Sequence, residues 1–115
     1  MGFLLLSCQR EDVVPGQLLL RIKNATSYQF DEVYVNTSNG ENLYGILKAS
    51  STSDYKEFEA AYRYAYIKLK IQGEEFVIQP IDYVGEELLT EGKYTYVLSM
   101  YDYENKLLQL EFKKE

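Results

Sequence analysis

A chain of 115 residues, 46% hydrophobic and 26% charged, is sized and composed for one globular domain with a single modest core. Its net charge is −6, and its only basic clusters are Lys68/Lys70 and Lys113/Lys114, which excludes a nucleic-acid surface built on clustered cations. It has no histidine, so hydrolase triads of the usual kind and the commonest transition-metal ligand are excluded too.

The chain begins Met1-Gly2-Phe3-Leu4-Leu5-Leu6-Ser7-Cys8, with its lone cysteine directly after an apolar run and a small residue. Phe3 to Leu6 are too few to span a bilayer, which takes roughly 20 apolar residues, and on a soluble protein they would form an exposed sticky tail. Leu5-Leu6-Ser7-Cys8 resembles the lipobox of lipoprotein signal peptides, which implies that Cys8 is acylated and becomes the first residue of the mature protein. A complete signal has a positively charged n-region and a longer apolar stretch. Their absence implies a true start further upstream or a truncated leader. The alternative is that residues 1–7 form a short disordered or strand-like N-terminus. Gln9-Arg10-Glu11-Asp12 loosely resembles the acidic export tag of Bacteroidetes-type surface lipoproteins, although a charged tether serves equally as a solvated spacer. The expected organisation is a signal remnant over 1–8, a tether over 9–16 that ends at Pro15-Gly16, and a folded domain over 17–115.

From Gly16 onward the apolar spacing has a period of two, and no segment sustains a helical period. Leu18, Leu20 and Ile22 mark a first strand; Val33 and Val35 mark a second, closed by a turn with its positive φ expected at Asn39-Gly40. Leu43 to Leu47 is a third, and Ala49 to Asp54 is a polar loop. Tyr55 to Ala60 fits an edge strand or a single helical turn. Next, Ala65, Ile67, Leu69 and Ile71 take one face while Tyr64, Tyr66, Lys68 and Lys70 take the other. Gln72-Gly73-Glu74 turns the chain into a partner strand over 75–79, which Pro80 stops because it cannot donate to a ladder. Tyr94, Tyr96, Leu98 and Met100, then Leu108, Leu110 and Phe112, mark the last two strands. With 12 Tyr and no Trp, the aromatic content also favours the pleated surface of a sheet.

About seven short strands at regular spacing predict an all-β, antiparallel β-sandwich. Leu89-Thr90-Glu91-Gly92-Lys93-Tyr94 resembles the tyrosine corner of immunoglobulin-like and fibronectin-like sandwiches, which implies that the Tyr94 hydroxyl bonds to the backbone just upstream. A transthyretin-like sandwich is the alternative topology.

Candidate chemistry is sparse. Glu74/Glu75 and Glu86/Glu87 are adjacent residues that a strand would point to opposite faces, so with Asp82 they read as solvated turn charge rather than a glycosidase dyad. Asp102, Glu104 and Asn105 lack the length and glycine of a calcium loop. The sequons at Asn24 and Asn36 carry no expectation of glycosylation in a bacterial lipoprotein. The most distinctive surface is Tyr62, Tyr64 and Tyr66, which on one strand would form an outward ladder able to stack on a sugar or anchor a protein, or simply to pair across strands. The start and the sandwich body together resemble the small lipoproteins of such bacteria, which implies a lipid-anchored outer-membrane location. The expected function is a non-catalytic binding or structural module of the envelope. It would have no cofactor and no metal, and a glycan or an envelope protein as its partner. The alternatives are a glycan-binding accessory using the tyrosines and, behind that, a carboxylate-based glycoside hydrolase.

Overall fold

The computed structural model describes residues 17–80 and 85–115. Those residues form eight strands and no helix: β1 Leu18–Asn24, β2 Phe30–Asn36, β3 Glu41–Leu47, β4 Lys56–Phe58, β5 Tyr66–Ile71, β6 Glu74–Ile78, β7 Gly92–Asp102 and β8 Leu107–Lys114. They lie in two four-stranded sheets, β4-β1-β7-β8 and β3-β2-β5-β6. The sheets pack as a β-sandwich because period-two alternation gives each an apolar face that must be buried. Leu20, Ile22, Tyr96 and Leu98 from the first sheet, and Val33, Val35, Ile67, Leu69 and Phe76 from the second, are at most 1% exposed.

Of the two forms open to residues 55–60 the chain takes the edge strand, β4, because β1 offers it a ladder: Leu18 pairs with Phe58, which is thereby carried into the core. The strands thus number eight rather than about seven. The sandwich is also not wholly antiparallel. β1 and β7 run parallel from Leu18↔Gly92 to Asn24↔Leu98: β4 takes one side of β1 antiparallel, and after β5 and β6 in the opposite sheet the chain re-enters on the other side of β1 at β7. The other pairings are antiparallel.

The turns follow local chemistry. Gln72 and Gly73 both take positive φ, 53° and 82°, the primed geometry that matches strand twist in a two-residue hairpin. In the β2–β3 turn the positive φ falls on Ser38 and Gly40 rather than on Asn39. The cause is upstream: the Ser38 amide donates to Asn36 Oδ1 at 2.8 Å, which starts the turn early. The Thr37 amide then donates to the Gly40 carbonyl at 2.9 Å.

Three tyrosine hydroxyls staple the sandwich to backbone carbonyls. Tyr94 donates to Thr90 at 2.8 Å, the upstream bond expected of a tyrosine corner, and its ring stacks on Phe112 at 5.5 Å. Tyr96 donates to Tyr62, and Tyr44 on β3 reaches across to Leu20 on β1 at 2.6 Å. Asn24 is the polar counterpart. Fully buried at the end of β1, it donates to the carbonyls of Tyr28, Leu47 and Lys48 and accepts from both the amide and the hydroxyl of Thr26. Its side chain ties β1, β3 and the loop before β2 together, and the Asn24 sequon is closed to modification in the folded protein.

Candidate functional site: a tyrosine cleft on the outer face of β2 and β5

β2 and β5 pair antiparallel, with Asn36 opposite Tyr66 and Tyr34 opposite Lys68. Val35 and Ile67 point inward and are fully buried, so alternation turns Tyr34, Asn36, Tyr66 and Lys68 outward. The register brings Tyr34 and Tyr66 edge to face, with ring centroids 6.2 Å apart and planes at 73°, a favoured arrangement for aromatic quadrupoles.

A chain of hydrogen bonds fixes the pair. The Tyr34 hydroxyl donates to Glu41 Oε1 at 2.6 Å and accepts from Asn36 Nδ2 at 3.1 Å. Asn36 Oδ1 in turn receives the Ser38 amide, so the β2–β3 turn orients the amide that orients the phenol. The hydrogen bond to the Glu41 carboxylate holds the Tyr34 phenol above its ordinary pKa, and it stays a neutral donor through physiological pH. Tyr34, Asn36, Ser38, Tyr66, Gln79 and Pro80 line an open cleft of about 370 Å³. Pro80 ends β6 and forms one wall.

This cleft presents aromatic rings beside two side-chain amides and a serine. Such a set can stack a flat apolar surface and hydrogen-bond polar groups at its rim. Among the described residues it holds no nucleophile paired with a base, and the neighbouring carboxylate Glu41 is committed to Tyr34.

Of the three expected ladder residues, only Tyr66 lies on a strand, which corrects the ladder. Tyr62 and Tyr64 precede β5 because its neighbour β2 ends at Asn36, opposite Tyr66, and offers no ladder before that point. The backbone there is satisfied differently: the Leu89 amide donates to the Ala61 carbonyl and the Tyr96 hydroxyl to that of Tyr62. Tyr62 and Tyr64 are half-buried and have interactions of their own. Tyr34 and Asn36 take their place beside Tyr66. Their outward positions follow from the buried Val33 and Val35, but their meeting with Tyr66 depends on the β2–β5 register.

Among the described candidate carboxylates, three face separate cations. Glu74 lies 3.9 Å from Lys106, Glu86 Oε1 lies 3.5 Å from Arg63, and Glu75 sits opposite Lys70. Asp102 caps its own turn, accepting from the Asn105 amide and side chain, which lowers its pKa. No group of three or more metal-ligating residues is found among the described residues. Asp82 and Cys8 lie outside them.

No family model matches the chain, and no curated protein matches it. The structure is similar to the NMR structure of a protein from Eubacterium rectale, with a TM-score of 0.62 and 13% identity over 87% of this chain and 91% of that one. At that identity the likeness establishes the fold alone.

Proposed function

We propose that this protein is a non-catalytic binding module of the cell envelope, anchored through an acylated Cys8, which docks a glycan on the outer face of β2 and β5. The observation that carries the binding reading is the cleft between Tyr34 and Tyr66, where two fixed rings stand beside the amides of Asn36 and Gln79. Sugars present an apolar C–H face ringed by hydroxyls, and an aromatic wall with amide partners complements both. A carboxylate-based hydrolase would need two acids about 5–10 Å apart across the sugar, and the described acids near this cleft supply only Glu41. The anchor reading rests on Leu5-Leu6-Ser7-Cys8. Two or more acyl chains on that cysteine would hold the domain stably at a membrane, where one would not.

For the topology we propose the transthyretin-like alternative. The immunoglobulin arrangement places the first strand beside the second in one sheet, whereas here β1 and β2 lie in opposite sheets and β1 is flanked by β4 and β7.

Two measurements test the function. A glycan array with wild-type protein and Tyr66→Ser should give a carbohydrate hit that the substitution abolishes while the thermal transition stays in place. An array without hits, or hits that Tyr66→Ser leaves intact, would remove this cleft as the site. Mass spectrometry of the native N-terminus should find acylated Cys8; an unmodified Met1 in the soluble fraction would sink the envelope assignment.

A further inference from the structure

A second cleft lies elsewhere, at the seam where the edge strands β3 and β4 of the two sheets face each other. It measures about 410 Å³, within the range of small-molecule sites. Its floor is the ring of Tyr44, held down by the bond from its hydroxyl to Leu20 across the seam. Burial raises the Tyr44 phenol's pKa, so the floor carries no negative charge. Ile46, 65% exposed, forms an apolar rim.

The charges at this cleft are unusual for an acidic protein. Lys48 and Lys56 both line it, and Lys56 Nζ lies 5.8 Å from the centre of the Tyr44 ring. The ion pairs of the described residues are Arg21–Glu115, Arg63–Glu86, Lys70–Glu32 and Lys106–Glu74, and neither lysine takes part in them. Lys23 stands next to the same loop, bridged through its backbone to Thr52. Asp54 is the one carboxylate in the lining. Two ammonium groups and one carboxylate therefore give the cleft a net positive charge within a chain of net charge −6. Oppositely charged groups at two adjoining edge strands would ordinarily pair with each other; cations left facing an open cavity favour an anion there.

We infer that the β3–β4 seam is a second binding site, for a small anionic ligand that joins a phosphate-like head to a flat apolar body. Lys48 and Lys56 hold the head as point charges, and the Tyr44 ring and Ile46 take the body. The site is independent of the tyrosine cleft, lies on other strands and involves no covalent step.

The test uses phenyl phosphate as the probe, with phenol and inorganic phosphate as its halves, titrated into isotope-labelled protein and followed by amide chemical shifts. Phenyl phosphate should move amides of residues 44–56 and bind at least tenfold more tightly than either half, with an affinity that falls as salt rises. The double variant Lys48→Gln/Lys56→Gln should weaken it at least tenfold, Asp54→Asn should tighten it, and Tyr66→Ser should leave it unchanged. A merely structural role for these surface groups would not produce opposite changes in affinity from the lysine and aspartate variants. Shifts scattered over all the lysines, or an affinity untouched by the double variant, would overturn the inference. Spectra of each free variant, matching the wild type outside the substituted residues, establish that the fold is intact.

Discussion

The tyrosines of the interior and those of the β2–β5 face use the same side chain for opposite ends. Inside, the hydroxyls of Tyr94, Tyr96 and Tyr44 all donate to backbone carbonyls, of Thr90, Tyr62 and Leu20. A backbone acceptor cannot move without the strand or loop that carries it, so these bonds lock the fold. Outside, Tyr34 donates to the side chain of Glu41 and is steadied by that of Asn36. Those partners can adjust when something docks. The hydroxyl's acceptor thus separates a hydroxyl committed to the fold from one available for recognition, a distinction that composition alone does not contain.

Substitutions can break or sharpen that contrast, beginning with the largest effect. Tyr96→Ala opens a cavity in the centre of the core and removes the hydroxyl that donates to the Tyr62 carbonyl, and should cost about 3–5 kcal/mol, read as a fall in the urea midpoint. Asn24→Ala removes one donor from the carbonyls of Tyr28, Leu47 and Lys48 and the shared acceptor of the Thr26 amide and hydroxyl. It should cost about 3 kcal/mol by the same measurement, although it removes almost no apolar surface. Tyr94→Phe keeps the ring on Phe112 and deletes only the corner bond, for a loss of about 1–2 kcal/mol; an unchanged midpoint would make the corner ornamental. Tyr34→Phe should leave the midpoint where it is and weaken ligand binding severalfold, the reverse of the Tyr94 result.

The smallest effect is one of pH. The pKa of Tyr34 is raised in the folded protein, chiefly by its bond to Glu41. Its contribution to stability is therefore fully present below the unfolded value, about 10, and is lost as pH rises through the higher folded value. An NMR titration of the Tyr34 ring should place its midpoint above those of solvent-exposed tyrosines, and Glu41→Gln should bring it down. A Tyr34 midpoint that does not respond to Glu41→Gln would detach the phenol from that carboxylate.

Much of the sandwich is legible in the sequence. Alternation around Leu20, Ile67 and Tyr96 marked strands because burial on one face of a pleat repeats every two residues, and Gln72-Gly73 marked a hairpin because its geometry demands positive φ. The corner was legible too, since Thr90 and Tyr94 are only four residues apart. The candidate site was not. Tyr34 and Tyr66 belong to β2 and β5, with two other strands between them in the chain, and only the Asn36↔Tyr66 register brings them together. The expected ladder failed for a related reason: alternation through Tyr62 and Tyr64 resembles a strand, but a strand needs a neighbour, and β2 had already ended. The seam lysines are hidden in the same way, because Lys48 and Lys56 lie on opposite sides of a loop that folds back on itself.

The parallel pairing of β1 with β7 reaches beyond the finished structure. Leu18 pairs with Gly92 although five other strands lie between β1 and β7 in the chain, so β1 waits for a much later strand before its sheet can close. Closing so long a loop is entropically slow, and non-local pairings of this kind delay folding. A nascent chain that has not yet released β7 holds β1 without its principal ladder, with Leu20 and Ile22 uncovered. Closure of this sheet is thereby deferred until β7 has been delivered.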